Sequence, residues 1–135
     1  MRNDSAAILE AAYRGWNASK GDPRYWLDIV SPEIKLNSLA DGAAPLKFTA
    51  ARQGDEQLKS YLAGLLADWR MNFQNLKEII AEGDRLCAIV EMSWTNKRTA
   101  KTFEGLKVDI WRFKDGKAVE FQEFYDTARA MAAAY

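Results

Sequence analysis

Residues 108–126 read VDIWRFKDGKAVEFQEFYD, and their reading decides the fold. Aromatic and β-branched residues fill two runs, with Asp115-Gly116 between them, the composition of two strands joined by a tight turn. Carboxylates interrupt both runs: Asp109 lies between Val108 and Ile110, and Glu123 between Gln122 and Phe124. The turn decides where these acids point. A two-residue type I′ loop pairs Lys114 with Lys117, sets Val108 opposite Glu123 and Asp109 opposite Gln122, and sends the acids to opposite faces. A three-residue loop with Gly116 in the left-handed bulge position pairs Phe113 with Lys117. It sets Asp109 opposite Phe121 and Lys107 opposite Glu123, and gathers both acids on the face of Trp111, Val119 and Tyr125. A slip of one residue turns every side chain over. Either construction leaves large apolar groups on both faces, so both faces are expected to be covered, one by helices and the other by a partner subunit.

Outward from the hairpin, NDSAAILEAAYRGWNASKG carries Ile8, Leu9, Ala12, Tyr13 and Trp16 at helical spacing, with Asp4 or Ser5 as cap and Lys20-Gly21 as stop. DPRYWLDIV predicts a short second helix capped by Asp22, with Pro23 as its first residue. EIKLNSL alternates as a strand, with Ile34, Leu36 and Ser38 on one face and Lys35, Asn37 and Leu39 on the other. A long loop with a short strand at Leu46 to Thr49 leads to DEQLKSYLAGLLADWRMNF, where Leu58, Tyr61, Leu62, Leu65, Leu66 and Trp69 form a helical stripe behind an acidic first turn. Strands follow: FQNLKEIIAEG, RLCAIVEMSW, and then, after the solvated basic loop TNKRTAK, the final hairpin; TARAMAAAY closes as a short helix. Helices first and antiparallel strands afterwards give an α+β pattern, helices packed on one face of a curved sheet that encloses a pocket.

The 135 residues suit one domain, 1–135, with a single core. Nineteen basic residues balance nineteen acidic ones, so no overall field draws the chain to nucleic acid or anionic lipid. Histidine is absent, which excludes histidine triads, histidine acid–base catalysis and histidine-ligated metals. The one cysteine, Cys87, forms no intrachain disulfide and no zinc cluster, and reads as a small core residue. The N-terminal stretch is too polar for a signal peptide, and no apolar run has the length of a membrane span. A cytoplasmic protein is expected, with neither nucleic acid nor membrane as partner.

The helix pair, the KGD turn, the EIKLNS strand and the final hairpin together resemble the nuclear-transport-factor-2-like superfamily, and more narrowly its SnoaL-like and ketosteroid-isomerase-like proteins. The resemblance spans nearly the whole chain and rests on the order of elements. It implies a cone-shaped α+β fold with a strongly curved, mostly antiparallel sheet, a deep apolar pocket, and a homodimer through the outer face of the sheet. Asp109 matches the strand position at which ketosteroid isomerases hold a protonated acid, and VEMSW, including Glu91, resembles their pocket strand. Tyr13 falls near their oxyanion tyrosine. Asn37 stands where they place the general-base aspartate, and an amide takes no proton at neutral pH. Limonene epoxide hydrolase, another relative, keeps an acid at the position of Glu123 and an asparagine at that of Asn37. It also needs an arginine two residues before a second acid and a tyrosine two before the asparagine. With Glu91 as that acid, Ile89 and Lys35 occupy those places. SnoaL-type polyketide cyclases use a pocket acid to move a proton. The resemblance favours the three-residue turn, because pocket acids at 109 and 123 need matching parity.

Asp109 in a dry pocket gains a raised pKa and donates a hydrogen bond as a neutral acid; otherwise it pairs with Lys107 or Arg112. Glu123 moves a proton, or else forms a cross-strand pair with Lys107. The expected site comprises Asp109 and Glu123 as catalytic groups, with Tyr13, Trp16, Asn37, Trp69, Glu91, Trp111, Phe121 and Tyr125 around the substrate. Trp26 and Tyr61 read as core residues at the pocket wall. The expected function is cofactor-free, metal-free proton transfer on an apolar carbonyl or epoxide compound, of isomerase, cyclase or hydrolase type. The alternative is a non-catalytic ligand-binding or dimerisation module of the same fold.

Overall fold

The computed structural model describes residues 4–135; Asn3, at the head of the predicted first helix, lies outside the described residues. Helix α1 (Asp4–Ser19) buries Leu9, Ala12, Tyr13 and Trp16 along one stripe. Helix α2 (Arg24–Leu27) follows at once, and Asp22 Oδ1 accepts from the Arg24 backbone N–H at 3.0 Å. The two helices approach closely at Gly15, where a Cβ would come within 2.1 Å of the Tyr25 ring. Strand β1 (Val30–Ser38), a 3-10 turn (Lys47–Thr49), strand β2 (Arg52–Gln53) and helix α3 (Asp55–Asp68) come next. Then follow β3 (Trp69–Glu82), β4 (Arg85–Asn96), β5 (Thr102–Lys114), β6 (Lys117–Phe124) and helix α4 (Thr127–Ala134).

The six strands make one curved, unclosed sheet in the order β2-β1-β6-β5-β4-β3. All neighbours run antiparallel except β1 and β6, which run parallel with Leu36 beside Phe121 and Ser38 beside Glu123. Leu86, Ala88, Val90, Met92 and Trp94 alternate along β4 and are all buried on the concave face beneath the helices. Aromatic rings lock helices to sheet. Tyr13 meets Trp26 edge-on at 4.8 Å, Trp26 stacks on Trp111 at 5.4 Å, and Trp111 packs on Phe121 at 4.6 Å.

Three expectations are corrected. The predicted strand at Leu46 to Thr49 is a 3-10 turn. Thr49 Oγ1 donates to the Leu46 carbonyl and accepts from the Gly42 N–H, local bonds that compete with a ladder. The helical stripe ending in Trp69 stops one residue earlier. Trp69 is extended (φ −130°, ψ 144°) and opens β3 opposite Asn96, while Lys97 satisfies the end of α3 by donating to the Asp68 and Leu66 carbonyls. The third concerns the final hairpin. Asp115 (φ 51°) and Gly116 (φ 78°) form a two-residue type I′ loop, with Lys114 opposite Lys117 and Phe113 opposite Ala118. The register then shifts, and Arg112 faces Glu120 with Val119 left over as a bulge. Beyond it Trp111 faces Phe121 and Asp109 faces Glu123, both acids pointing inward. The bulge does what the longer turn was expected to do. Without it Phe121 would oppose Ile110 on the outer face, losing its contact with Trp111.

Helix α4 is capped by Asp126, which accepts from the Arg129 N–H at 3.0 Å. Its last carbonyls are held by the loop read from sequence as a solvated turn. Arg98 donates to the Ala134 carbonyl, Thr99 to that of Ala133, and Lys101 to that of Tyr135. The convex face of the sheet carries Ile80, Leu106 and Phe124, 55%, 63% and 39% exposed.

Val119 has no cross-strand partner, so its deletion is expected to keep both the type I′ turn and the Asp109–Glu123 pair. Cross-strand NOEs between residues 109 and 123, in the numbering of the intact chain, measure this. A shift to contacts between 109 and 122 would mean that the two-residue turn has given way to a longer one and that Phe121 no longer faces Trp111.

Candidate functional site

Alternation along β5 turns Phe103, Lys107, Asp109, Trp111 and Phe113 to the concave face, and β6 adds Phe121 and Glu123. Three ionisable groups therefore meet inside an apolar cone. The Lys107 ammonium lies 3.0 Å from Glu123 Oε2 and 3.1 Å from Asp109 Oδ1. Asp109 is 1% exposed, Glu123 6% and Lys107 8%, so solvent screens none of these charges appreciably.

Two phenols complete the ring of contacts. Tyr13 Oη donates to Asp109 Oδ2 at 2.5 Å and accepts from the Trp111 indole at 3.0 Å. Tyr61 Oη donates to Glu123 Oε1. One oxygen is left over: Asp109 Oδ1 has the charge contact with Lys107 but no aligned hydrogen bond. Among the described residues it is the buried side-chain oxygen open to a further partner.

Burial lifts the Asp109 carboxyl above the ordinary aspartate value; Lys107 pulls it down, Glu123 pushes it up, and the balance stays upward. Burial alone would lower the Lys107 pKa, but the two carboxylates outweigh it and hold it above the ordinary lysine value. Lys107 is thus a fixed cation, unsuited to attack a carbonyl as a free amine. Burial and the charge of Asp109 push Tyr13 well above the usual phenol value; burial and the charge of Glu123 do the same to Tyr61. Both phenols stay protonated donors.

A cavity of about 120 Å³ lies over these groups. Its wall includes Trp16, Trp26, Trp69, Trp94, Trp111 and Phe121, with Tyr61 and Tyr125 beside the acids and Gln74 among the aromatics. Tyr125 is held by Ser38, the two hydroxyls lying 2.7 Å apart. Among the described residues no group of three or more histidine, cysteine, aspartate or glutamate side chains could hold a metal ion.

Of the residues expected from sequence, Asp109, Glu123, Trp16, Trp69, Trp111, Phe121 and Tyr125 come together at the cavity. Tyr13 sits behind Asp109, bonded to it. Two do not join the site. Asn37 is exposed on the outer side of β1 beside Gln122, because Ile34, Leu36 and Ser38 take the inward positions. Glu91 points outward from β4, 3.7 Å from Lys77, because Val90 and Met92 face in. Lys107 entered the sequence reading only as an ion-pair partner; it bridges both acids at once. Its signal was the spacing Lys107-Val108-Asp109, which places a cation two residues before an acid on the same face. Gln74 had no signal, since bulges beside Asn72 and Lys77 break the alternation of β3.

Residues 9–121 match the SnoaL-like domain family, and the chain belongs to it. No curated protein matches the sequence. Solved structures match closely in shape. A protein of unknown function from Burkholderia pseudomallei, described as nuclear-transport-factor-2-like, is 19% identical over 98% of each chain, with TM-score 0.83. TerC, co-crystallised with polyporic acid, is 21% identical over 98% of each chain, with TM-score 0.82. A hypothetical protein with a ketosteroid isomerase-like fold from Catenulispora acidiphila, in complex with trimethylamine, is 15% identical over 94% of this chain and 91% of its own, with TM-score 0.76. At these identities the likeness establishes the fold, an α+β cone.

Replacing Lys107 by methionine leaves two carboxyls buried without their cation. The expected cost is about 3–5 kcal/mol at neutral pH. Loss of the ammonium raises the native-state pKa of Asp109 further, so the native state binds a proton that the unfolded state releases. The variant should therefore gain stability as pH falls towards the ordinary carboxylate range and lose it as pH rises. Urea denaturation at several pH values reads this; a flat profile would contradict the buried pair.

Proposed function

We propose that this protein is a cofactor-free acid–base enzyme that enolises an apolar carbonyl compound. One observation carries the reading: a buried cation bridges two carboxyls at the wall of an aromatic cavity, and one acid keeps an oxygen without a hydrogen bond. The raised pKa of Asp109 favours its neutral form, which donates a hydrogen bond through Oδ1 to the substrate oxygen. Glu123 takes the proton from the carbon beside the carbonyl. The C–H bond breaks, its electron pair moves into the enolate, and the negative oxygen meets Asp109 and the Lys107 ammonium. Returning the proton to a different carbon isomerises the substrate; attack of the enolate on a second carbonyl closes a ring. Tyr13 positions Asp109, and Tyr61 positions Glu123.

A second reading has a specific support. Lys107-Val108-Asp109 places a cation two residues before an acid, with lysine where the epoxide-hydrolase relative has arginine, a spacing that Glu91 with Ile89 does not offer. Epoxide opening uses the same groups, Asp109 giving its proton to the ring oxygen while Glu123 draws one from the attacking water. The small organic molecules crystallised with TerC and with the Catenulispora acidiphila protein favour a ligand cavity in either case.

Glu123→Gln removes the base and keeps the shape. Turnover of a panel of cyclic ketones, enones and epoxides is expected to fall about 10²–10⁴-fold, with ligand binding retained. Full turnover in both Glu123→Gln and Asp109→Asn would leave the chain a binding module.

The convex face is proposed to bind a second copy of the chain. Its exposed Ile80, Leu106 and Phe124 are bordered by charges of both signs, the Lys77–Glu91 pair and Arg112 with Asp84 and Glu120, a pattern that can complement itself about a two-fold axis. Sedimentation of Leu106→Lys should give a monomer where the wild type gives a dimer; equal masses would refute the interface.

A further inference from the structure

Gln74 is 3% exposed and lines the cavity from β3, an edge strand two strands from the Asp109 strand β5. Its amide orientation is fixed by chemistry. The Trp16 indole N–H can only donate, and it lies 3.2 Å from the amide oxygen, so Oε1 faces Trp16. The other end of the amide, Nε2, carries two N–H donors, and the bond from Trp16 leaves it turned away from the indole. Because Gln74 borders the cavity, this amide end is available to a polar atom of whatever occupies it.

Its placement says what that molecule looks like. Gln74 pairs with Met92, and Met92 with Gly105, two residues from Lys107 along β5. Two strand spacings of about 4.8 Å and two residue rises of about 3.4 Å put the Gln74 and Lys107 Cα atoms about 12 Å apart along the sheet. Both side chains reach inward from those points, and the walls between them are aromatic. The cavity measures about 120 Å³. An apolar cavity of about 150 Å³ takes benzene, so the space between the two polar ends suits about one ring.

We infer that Gln74 is a specificity-determining residue: its Nε2 donates to an oxygen of the substrate opposite the one held by Lys107 and Asp109, and the substrate is a compact cyclic ketone with a second oxygen acceptor across the ring. This rests on the carbonyl-binding reading of the acid end. The Trp16 bond holds the amide ready, so the donor needs no reorganisation when the ligand arrives.

Two ketones of similar shape test it, cyclohexane-1,4-dione and 4-methylcyclohexanone, which differ in the second oxygen. NMR titrations of the wild type and of Gln74→Met give the dissociation constants. Wild type is expected to bind the dione about tenfold more tightly, since only the dione brings a second oxygen to the Gln74 amide. Gln74→Met is expected to lose that preference through weaker dione binding, with 4-methylcyclohexanone unchanged. Equal binding of the two ketones to the wild type, with shifts at Lys107 and Asp109, overturns the role of Gln74 and leaves the acid end standing. Binding of neither ketone overturns both together. Should Gln74→Met fold poorly, the wild-type pair of constants decides alone.

Discussion

The Lys107 ammonium held between Asp109 and Glu123 is the contact on which the rest of the architecture turns. Two carboxyls facing each other across an antiparallel pair in an apolar cone repel and are poorly solvated. A cation within 3.1 Å of both makes their burial tolerable. The phenols of Tyr13 and Tyr61 then satisfy one oxygen on each acid, which ties α1 and α3 to the strands. The helices are thus held over the sheet by polar bonds at the centre and by stacked aromatics around them. The same atoms that hold the helices to the sheet also line the cavity, and among the described residues Asp109 Oδ1 is the buried carboxylate oxygen left without a hydrogen bond.

Much of the fold was legible because periodicity is a local property. The stripe from Leu9 to Trp16, the Asp22 cap and the alternation of β4 each declare themselves within a few residues. Long-range packing decided what local pattern could not. Val119 leaves the ladder so that Phe121 can reach Trp111, a preference no residue count along β6 records. Trp69 completes a helical stripe in the sequence but is drawn into β3 by pairing with Asn96, twenty-seven residues away along the chain. Trp69 shows tertiary structure overriding propensity at an element boundary, the place where propensity is weakest.

The site was legible in its acids and less so in its geometry. Asp109 and Glu123 stood out as charges among apolar neighbours. Asn37 and Glu91 were drawn in by likeness to relatives, although the alternation of β1 had already set Asn37 opposite Leu36. Parity along a strand is a stronger guide to a cavity than positional likeness, since one residue of offset reverses the face. The same parity would have promoted Lys107 from a bystander to the middle of the site.

The latch on α4 engages main-chain carbonyls: Arg98, Thr99 and Lys101 hold the oxygens of Ala134, Ala133 and Tyr135. Every residue type presents the same carbonyl. The clamp therefore imposes no requirement on the side chains that α4 displays, one of which, Ala130, forms part of the cavity wall. Anchoring and the lining of the cavity fall to different parts of the same helix. Such a division lets the cavity wall be reshaped by substitution at Ala130 while the closing helix stays in place.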